Sequence, residues 1–205
     1  MIKNIVFDMG GVLINDNAMD FAARYVQDQA DLELLKDELF LSYEWREGWD
    51  NGTMIMEDLV NSVCARLPER LHEVVRQITE NWNMDAELIP GMEDLIRSLK
   101  KQGWNIYLLS NTALSFYQYR HRLPAIDVFD GEFISAEHHL LKPQREIYEK
   151  FVQVFGLEAR ECYFIDDKPE NVKGAIDALW GGGFVFGGDA ATLEKALRGL
   201  ELKQV

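Results

Sequence analysis

The sequence has few cysteines, no long apolar run and a shortage of positive charge. Its two cysteines, Cys64 and Cys162, share neither a CxxC spacing nor a short metal-ligand spacing. No apolar stretch approaches the roughly 18 residues that a membrane-spanning helix needs, and the first residues lack the apolar region and cleavage site of a secretory signal. We therefore expect a soluble, reduced, cytoplasmic protein with no membrane partner.

The charge balance narrows the classes of partner. The 205-residue chain has 21 Lys and Arg against 35 Asp and Glu, a formal charge of −14. A field of this sign repels nucleic acid and anionic membrane surfaces, so we expect no nucleic-acid partner. At 47 % hydrophobic and 11 % aromatic the composition is that of a globular protein. The length suits one α/β domain with a modest insertion, and it leaves the oligomeric state open.

Two kinds of hydrophobic pattern divide the chain. Over residues 16–86 apolar side chains recur at three- and four-residue spacing, which predicts an all-helical insertion. Residues 1–15 and 87–205 alternate short apolar strands with helices, which predicts an α/β core with a parallel sheet and helices on both faces. After the first strand, Ile5 to Phe7, the predicted strands are Trp104 to Leu109, Glu132 to Ile134, Cys162 to Ile165 and Phe184 to Phe186.

Local signals predict several helix ends. Asn51 and Gly52 form a turn pair, and Thr53 is the expected N-cap of the helix that follows. Pro143 is expected in the first turn of a helix that Gly156 ends.

Polar side chains follow three of the predicted strands, and a lysine precedes a helix of the same unit. These residues are Asp8, Ser110, Asn111, Lys142, Asp166 and Asp167. Each alone is more often a cap, turn or surface residue, but the ends of parallel strands converge on one edge of the sheet. Carboxylates brought together there need a cation, and an oxygen-only set favours Mg²⁺ over zinc.

Four short segments resemble the ordered motifs of the haloacid dehalogenase superfamily. They are Phe7-Asp8-Met9-Gly10-Gly11-Val12-Leu13, Ser110-Asn111, Lys142-Pro143, and Phe164-Ile165-Asp166-Asp167 with Asn171. The helical insertion resembles the C1-type cap of that superfamily, and the chain is similar to its bacterial glucose-1-phosphatase-like sugar phosphatases. The resemblance implies a Rossmann-like core and a Mg²⁺-dependent hydrolase of a small phosphorylated metabolite, with a sugar phosphate as the expected substrate.

The resemblance also implies a role for each motif residue. Asp8 would be the nucleophile that forms an aspartyl-phosphate, and Lys142 would balance charge beside it. Ser110 and Asn111 would hydrogen-bond the phosphoryl oxygens. The metal ligands would be Asp8, the backbone carbonyl of Gly10, Asp167 directly and Asp166 through water or an indirect contact. The charges of Asp8, Asp166 and Asp167 would be balanced by those of Mg²⁺ and Lys142, so the net charge of the site would be zero. A phosphate ester could therefore bind there although the whole chain has a formal charge of −14.

Gly10 departs from the family pattern. Most phosphatases of the superfamily have an aspartate at this position, which protonates the leaving group and then activates water. The sequence offers Asp16, Glu44 and Glu47 as replacements, although each is more often a solvated helix residue. An anomeric sugar oxygen, which is a better leaving group than a primary alkoxide, would suffer less from the change.

Other residues of the insertion are candidates for contact with substrate. Arg46 is the first of these, and Tyr43, Trp45 and Trp49 are candidates for an aromatic wall, with at least two of the three expected to pack between helices. His138 and His139 are expected on a loop surface, and contact with substrate is the alternative.

Two other functions stay open at this stage. The Gly10 change would suit a non-catalytic protein that binds a phosphorylated ligand. A 2-haloacid dehalogenase would use the same nucleophile without metal, but uncompensated Asp166 and Asp167 would repel an anionic haloacid.

Overall fold

The computed structural model describes residues 1–201 and centres on a five-stranded parallel sheet. The strands of the described residues are β1 (Asn4–Phe7), β2 (Ile14–Asn15), β3 (Glu87–Leu88), β4 (Asn105–Ser110), β5 (Gly131–Ile134), β6 (Cys162–Asp166) and β7 (Gly182–Val185). The large sheet has the order β5-β4-β1-β6-β7, with all four pairings parallel. Its central strand β1 is buried along its whole length, as a continuous apolar run in a doubly covered sheet requires.

Helices connect these strands and fill the segment before β3. Their bounds are α1 (Ala18–Ala22), α2 (Gln29–Leu35), α3 (Met56–Cys64), α4 (His72–Asn81), α5 (Met92–Lys101), α6 (Phe116–Tyr119), α7 (Ser135–His138), α8 (Arg145–Phe155), α9 (Pro169–Asp177) and α10 (Ala190–Glu201). Two π-helical segments, Lys36–Phe40 and Glu44–Trp49, lie between α2 and α3. Short 3-10 turns lie at Glu69–Leu71, Arg120–Arg122, Ile126–Val128 and Ala159–Glu161.

Alternate residues of the strands face two separate apolar layers. Ile5 and Phe7 pack with residues of α5 and α10, such as Ile96 and Leu193. On the other face, Val6 of the same strand packs with residues of α8 and α9. Helices therefore cover both faces of the sheet, which confirms the predicted α/β Rossmann-like fold.

Residues 16–86, all of which the structure describes, form helices and turns and no strand. They have an apolar cluster of their own, built around residues such as Leu35 and Val63. The antiparallel pair β2 and β3 closes the base of this segment, with Ile14 opposite Leu88. These observations support the predicted division into a core (1–15 and 87–205) and a helical cap (16–86), which stays a prediction; residues 202–205 lie outside the described residues.

Several predicted element bounds are wrong by one to three residues. Pro143 is not in the first turn of α8, because a turn in which Gln144 N–H donates to the Leu141 carbonyl (2.9 Å) precedes the helix. The Lys142–Pro143 peptide bond is cis. Thr53 does not cap α3, because its hydroxyl donates back to the Gly48 carbonyl (3.3 Å) and the helix begins three residues later.

Two predicted strands are also displaced. Trp104 lies outside β4, and β7 ends at Val185, so Phe186 lies beyond it. Gly182 and Gly183 begin β7, and because glycine is uncommon inside strands the sequence predicts the strand to start only at Phe184. A glycine is nevertheless needed at position 183. A Cβ there would lie 2.7 Å from Val172 Cγ1 and 3.0 Å from the Phe164 carbonyl oxygen. Within the described residues, no helix has the length and apolar character needed to cross a membrane.

Candidate active site

The carboxyl ends of β1, β4 and β6 bring Asp8, Lys142 and Asp166 into contact. Lys142 Nζ lies 2.7 Å from Asp8 Oδ1, 2.8 Å from Asp166 Oδ2 and 3.1 Å from the Leu109 carbonyl. The lysine side chain is 1 % exposed, and Asp8 Oδ1 also accepts a hydrogen bond from Met9 N–H (2.7 Å). All three N–H donors of the lysine are therefore used, two by the carboxylates and one by the Leu109 carbonyl near the end of β4.

Asp166 is held by protein donors on both oxygens. Oδ1 accepts from Lys168 N–H (2.8 Å) and from Asn171 Nδ2 (3.0 Å), and Oδ2 accepts from Lys142 and from the same amide. Tyr148 in turn donates to the Asn171 carbonyl (2.7 Å). This saturation fixes the carboxylate and suits an indirect role toward a cation.

The carboxylate of Asp167 has a different environment. Its Oδ1 is buried and has no hydrogen-bond partner, and one oxygen each of Asp8, Asp166 and Asp167 lie within 4.8 Å of one another. A buried carboxylate oxygen without a donor is costly unless a cation balances it. The donor set consists only of oxygen, so the residues present fit Mg²⁺.

The pKa values of the carboxyls follow burial and their neighbours. Burial raises the pKa of Asp8 to about 8, although Lys142 lowers it, and the charge of Asp166 adds to the rise. In Asp166 the pKa is lowered, because Lys142 and the Lys168 N–H outweigh the effect of burial. Burial also raises the pKa of Asp167. A cation among these groups would favour their ionised forms.

Two consecutive glycines let carboxylates lie against the loop after β1. A Cβ on Gly11 would lie 2.7 Å from Asp167 Cγ, and Gly11 has a left-handed backbone with φ +66°. A Cβ on Gly10 would lie 1.9 Å from Asp16 Oδ2 and 2.6 Å from Asp16 Cγ. Burial raises the pKa of Asp16, against the opposing effect of Lys168. The Gly-Gly pair is therefore a requirement of close packing with Asp16 and Asp167.

Ser110 and Asn111 lie at the end of β4, as the sequence predicts. Ser110 is buried at the last position of the strand. The Asn111 amide pairs with the backbone of Lys142: Lys142 N–H donates to Oδ1 (2.9 Å), and Nδ2 donates to the Lys142 carbonyl (3.0 Å). Asn111 thus anchors the loop that carries the lysine, a contact that strand-end reasoning did not anticipate.

A cavity of about 440 Å³ opens over this edge of the sheet. Asp8, Ser110, Asn111 and Lys142 line its floor, and Asp16 and Arg46 also line it. This size falls in the range of small-metabolite sites. Ten further lining residues were not predicted from the sequence: Ala18, Phe40, Leu41, Asp50, Trp82, Asn83, Thr112, Leu141, Lys168 and Glu170. Only Lys168 had a signal, since it directly follows the acidic pair.

The candidate substrate residues of the insertion lie in different places. Arg46, Trp45 and Glu47 line the cavity, whereas Tyr43 is 70 % exposed. Trp49 is buried against Trp45, with ring centroids 4.7 Å apart. The aromatic wall of the cavity consists of Trp45, Phe40 and Trp82, and the last two were not predicted from the sequence.

Glu44 and the two histidines make contacts away from the cavity floor. Glu44 pairs with Arg66 (2.7 Å) and accepts from a serine hydroxyl on α3, so it is engaged within the helical segment. His138 stacks on Phe133 at 3.9 Å, and the ring of His139 contacts the Asn51 carbonyl (2.8 Å). Both histidines have structural contacts in the described chain.

The structure is therefore a Rossmann-like α/β fold with a candidate site of carboxylates and a lysine at the carboxyl ends of its parallel strands. A family model for haloacid dehalogenase-like hydrolases matches residues 2–178. The chain belongs to this family, which confirms the resemblance drawn from the four motifs.

Curated relatives and solved structures agree with this membership. The chain is 33 % identical to sesquiterpene phosphatase astK of Aspergillus oryzae over 174 residues, 83 % of each chain. It is 28 % identical to D-ribitol-5-phosphate phosphatase of Bacteroides thetaiotaomicron, over 84 % of this chain and 86 % of the relative. A solved HAD family enzyme from Bacteroides thetaiotaomicron, in complex with magnesium and inorganic phosphate, matches with a TM-score of 0.69 at 19 % identity, covering 94 % of this chain and 99 % of that one.

Proposed function

We propose that the chain is a Mg²⁺-dependent phosphomonoester hydrolase that acts on a small phosphorylated metabolite through an aspartyl-phosphate on Asp8. The observation that carries the proposal is the buried Asp8–Lys142 pair beside an Asp167 oxygen that has no donor. The phosphatase names of two relatives, and the magnesium and phosphate in a structural neighbour, support the same reading. A cavity of about 440 Å³ has room for a sugar phosphate, and a D-ribitol-5-phosphate phosphatase among the relatives supports that substrate class.

In this proposal Asp8 attacks phosphorus while Lys142 offsets the negative charge on both reactants. Ser110 donates to a phosphoryl oxygen, and Asn111 keeps the lysine loop in place while its remaining N–H is directed to the phosphate. A Mg²⁺ ion held by Asp8, the Gly10 carbonyl and Asp167, with Asp166 behind, would supply charge stabilisation to the transferring phosphoryl group. Water then hydrolyses the aspartyl-phosphate and frees Asp8.

The helical segment 16–86 acts in this proposal as a cap that determines which ester enters. Arg46 lines the cavity from that segment and is the expected contact for a polar part of the substrate. The ring of Trp45 provides a flat apolar surface that suits the face of a sugar. The cavity therefore offers both polar and apolar contacts to the alcohol part of the ester.

Phosphate release from a panel of anomeric and primary sugar phosphates tests the proposal. The wild-type chain with Mg²⁺ is expected to turn over at least one ester, and EDTA or Asp8→Asn is expected to abolish release. Asp58→Asn, an exposed aspartate on α3, is the matched control and should keep wild-type activity. Hydrolysis that survives EDTA or Asp8→Asn contradicts the proposal.

Two other outcomes separate the remaining functions. Release of halide from a 2-haloacid without metal would assign the chain to the dehalogenases. Thermal stabilisation by Mg²⁺ with beryllium fluoride, but no turnover of any ester, would assign it a binding function instead.

A further inference from the structure

A phosphate ester of an ordinary alcohol needs a proton at the leaving oxygen. Without a donor the leaving group is a strongly basic alkoxide, and general acid help is typically worth about 10²- to 10⁴-fold. Two ionisable groups on the cavity floor are already committed: Asp8 would be bonded to phosphorus, and Lys142 is locked between Asp8 and Asp166. Another side chain must therefore carry the proton.

The backbone after β1 brings a carboxylate back to the Asp8 loop. Leu13 N–H and Ile14 N–H both donate to the Met9 carbonyl (2.7 and 3.1 Å), so the chain reverses within a few residues. This reversal places the Asp16 carboxylate against Gly10, where a Cβ would lie only 1.9 Å from Oδ2. Residue 10 lies two residues after Asp8, and the Asp16 carboxylate fills the space that a side chain at residue 10 would occupy. Asp16 also lines the same cavity as Asp8.

We propose that Asp16 is the general acid and base of this hydrolase, with its carboxyl brought by the turn after β1 into the space left by the missing side chain of Gly10. The proposal rests on the phosphatase function proposed above. It assigns the proton transfers to a residue eight positions after the nucleophile, and Gly10 becomes a requirement for that placement.

The proton balance has two steps. In the first, an Asp8 oxygen bonds to phosphorus, the bond from phosphorus to the ester oxygen breaks, and that oxygen takes the proton of the Asp16 carboxyl. In the second, a water oxygen bonds to phosphorus, the bond from phosphorus to Asp8 breaks, and the Asp16 carboxylate takes a proton from the water. Alcohol and inorganic phosphate leave, and both carboxyl groups return to their starting states.

Two of the three other carboxylates that line the cavity, Glu47 and Asp50, are less suited to this role, and the third, Glu170, is exposed in the first turn of α9. Glu47 and Asp50 both come from the π-helical region of segment 16–86, whereas Asp16 follows β2 directly. Strand β2 pairs with β3 and bonds to the Asp8 loop, since Gly11 N–H donates to the Ile14 carbonyl (2.9 Å). The position of Asp16 relative to Asp8 therefore does not depend on how the helical segment closes.

Pre-steady-state kinetics of Asp16→Asn test the proposal. p-Nitrophenolate leaves without a proton, so with p-nitrophenyl phosphate the variant should release about one equivalent per active site in a burst and then turn over slowly. With the primary alkyl phosphate that the wild type hydrolyses fastest, the variant should show no burst and a rate lower by about 10²- to 10⁴-fold. Asp20→Asn, an exposed residue of α1, is the control and should behave as wild type.

A relocation variant provides an independent check. Gly10 does not have a left-handed backbone, so an aspartate is conformationally allowed there once Asp16 is removed. Gly10→Asp with Asp16→Ala should regain at least tenfold of the activity lost in Asp16→Ala alone, and Gly10→Asp alone should not improve on wild type.

The outcomes separate the two proposals. A wild-type chain that hydrolyses no ester overturns the phosphatase function and this inference with it. A wild-type chain that hydrolyses esters, with an Asp16→Asn variant that is fully active or equally slow on both esters without a burst, overturns the role of Asp16 alone. Stabilisation of Asp16→Asn by Mg²⁺ with beryllium fluoride confirms that the variant is folded and binds.

Discussion

The ammonium group of Lys142 contacts residues at the ends of three strands of the sheet. It contacts Asp8 after β1, the carbonyl of Leu109 in β4 and Asp166 at the end of β6. Removing one member of a buried ion pair leaves its partner uncompensated, at a cost of about 3–5 kcal/mol. A Lys142 variant would therefore lose stability as well as activity, so the chemistry is better tested at Asp8.

Gly11→Ala probes the metal-binding geometry, because its Cβ would lie 2.7 Å from Asp167 Cγ at φ +66°. Gly156 has nearly the same backbone, φ +65°, with no atom within 4 Å of a Cβ, and is the matched control. Both alanine variants should lose about 1–2 kcal/mol of unfolding free energy in urea, from the left-handed conformation. Only Gly11→Ala should also weaken Mg²⁺ binding in calorimetry, by about 10- to 100-fold. Equal Mg²⁺ affinity in the two variants would contradict this.

At the scale of elements, the sequence predicts strands better than helix starts. The runs of β1, β4 and β6 are apolar and short, and burial on both faces leaves them few alternatives. Helix starts depend on hydrogen bonds of the preceding turn. The backbone hydrogen bond from Gln144 N–H to the Leu141 carbonyl forms a turn that contains Pro143, so α8 begins only at Arg145. No local pattern in the sequence predicts that hydrogen bond.

Glu44 connects one π-helical segment to α3, and its pKa makes this connection testable. Arg66 and the Ser62 hydroxyl lower the pKa of Glu44 to about 2. The folded pKa lies below the usual carboxyl value, so the stabilisation is present above about pH 4.5 and is lost as the pH falls toward 2. Because Arg66 is 38 % exposed, solvent screens the pair and Glu44→Gln should cost only about 1 kcal/mol at pH 7.

Urea unfolding at several pH values measures this effect. The stability difference between wild type and Glu44→Gln should shrink steadily between pH 5 and pH 3. Glu80→Gln, an exposed residue of α4, should show no difference at either end of the range. A difference that stays constant with pH would assign the loss to packing instead of charge.

For the whole molecule, topology explains which half of the site the sequence could predict. Parallel strands in neighbouring positions converge at their carboxyl ends, so polar residues after β1, β4 and β6 had to meet. The opposite wall comes from the helical segment, where Phe40 and Trp82 reach the cavity through tertiary packing. No periodicity in the sequence encodes how that segment docks on the sheet edge.

The turn at residues 50–52 forms one of the contacts between the helical segment and the core. Ser135 Oγ donates to the Asp50 carbonyl (2.5 Å), the His139 ring contacts the Asn51 carbonyl, and a Cβ on Gly52 would lie 2.2 Å from the Ala136 carbonyl oxygen. This turn adjoins the cavity, since Asp50 lines it. We therefore expect that any closure of the cavity over a substrate depends on the fit of this turn against α7.

Gly52→Ala should lift the turn from α7 and open the cavity. We expect kcat/KM for the best phosphate ester to fall about tenfold, which corresponds to about 1.4 kcal/mol of transition-state binding, mainly through a higher KM. Gly103→Ala is the control, because Gly103 also has a positive φ of +92° but no atom within 4 Å of a Cβ. Both variants should lose stability from backbone strain, and Gly52→Ala should lose more because its Cβ also meets backbone. A loss of kcat/KM confined to Gly52→Ala therefore isolates the docking contact from the strain that the two variants share. Equal kinetics in the two variants would mean that the turn does not control closure.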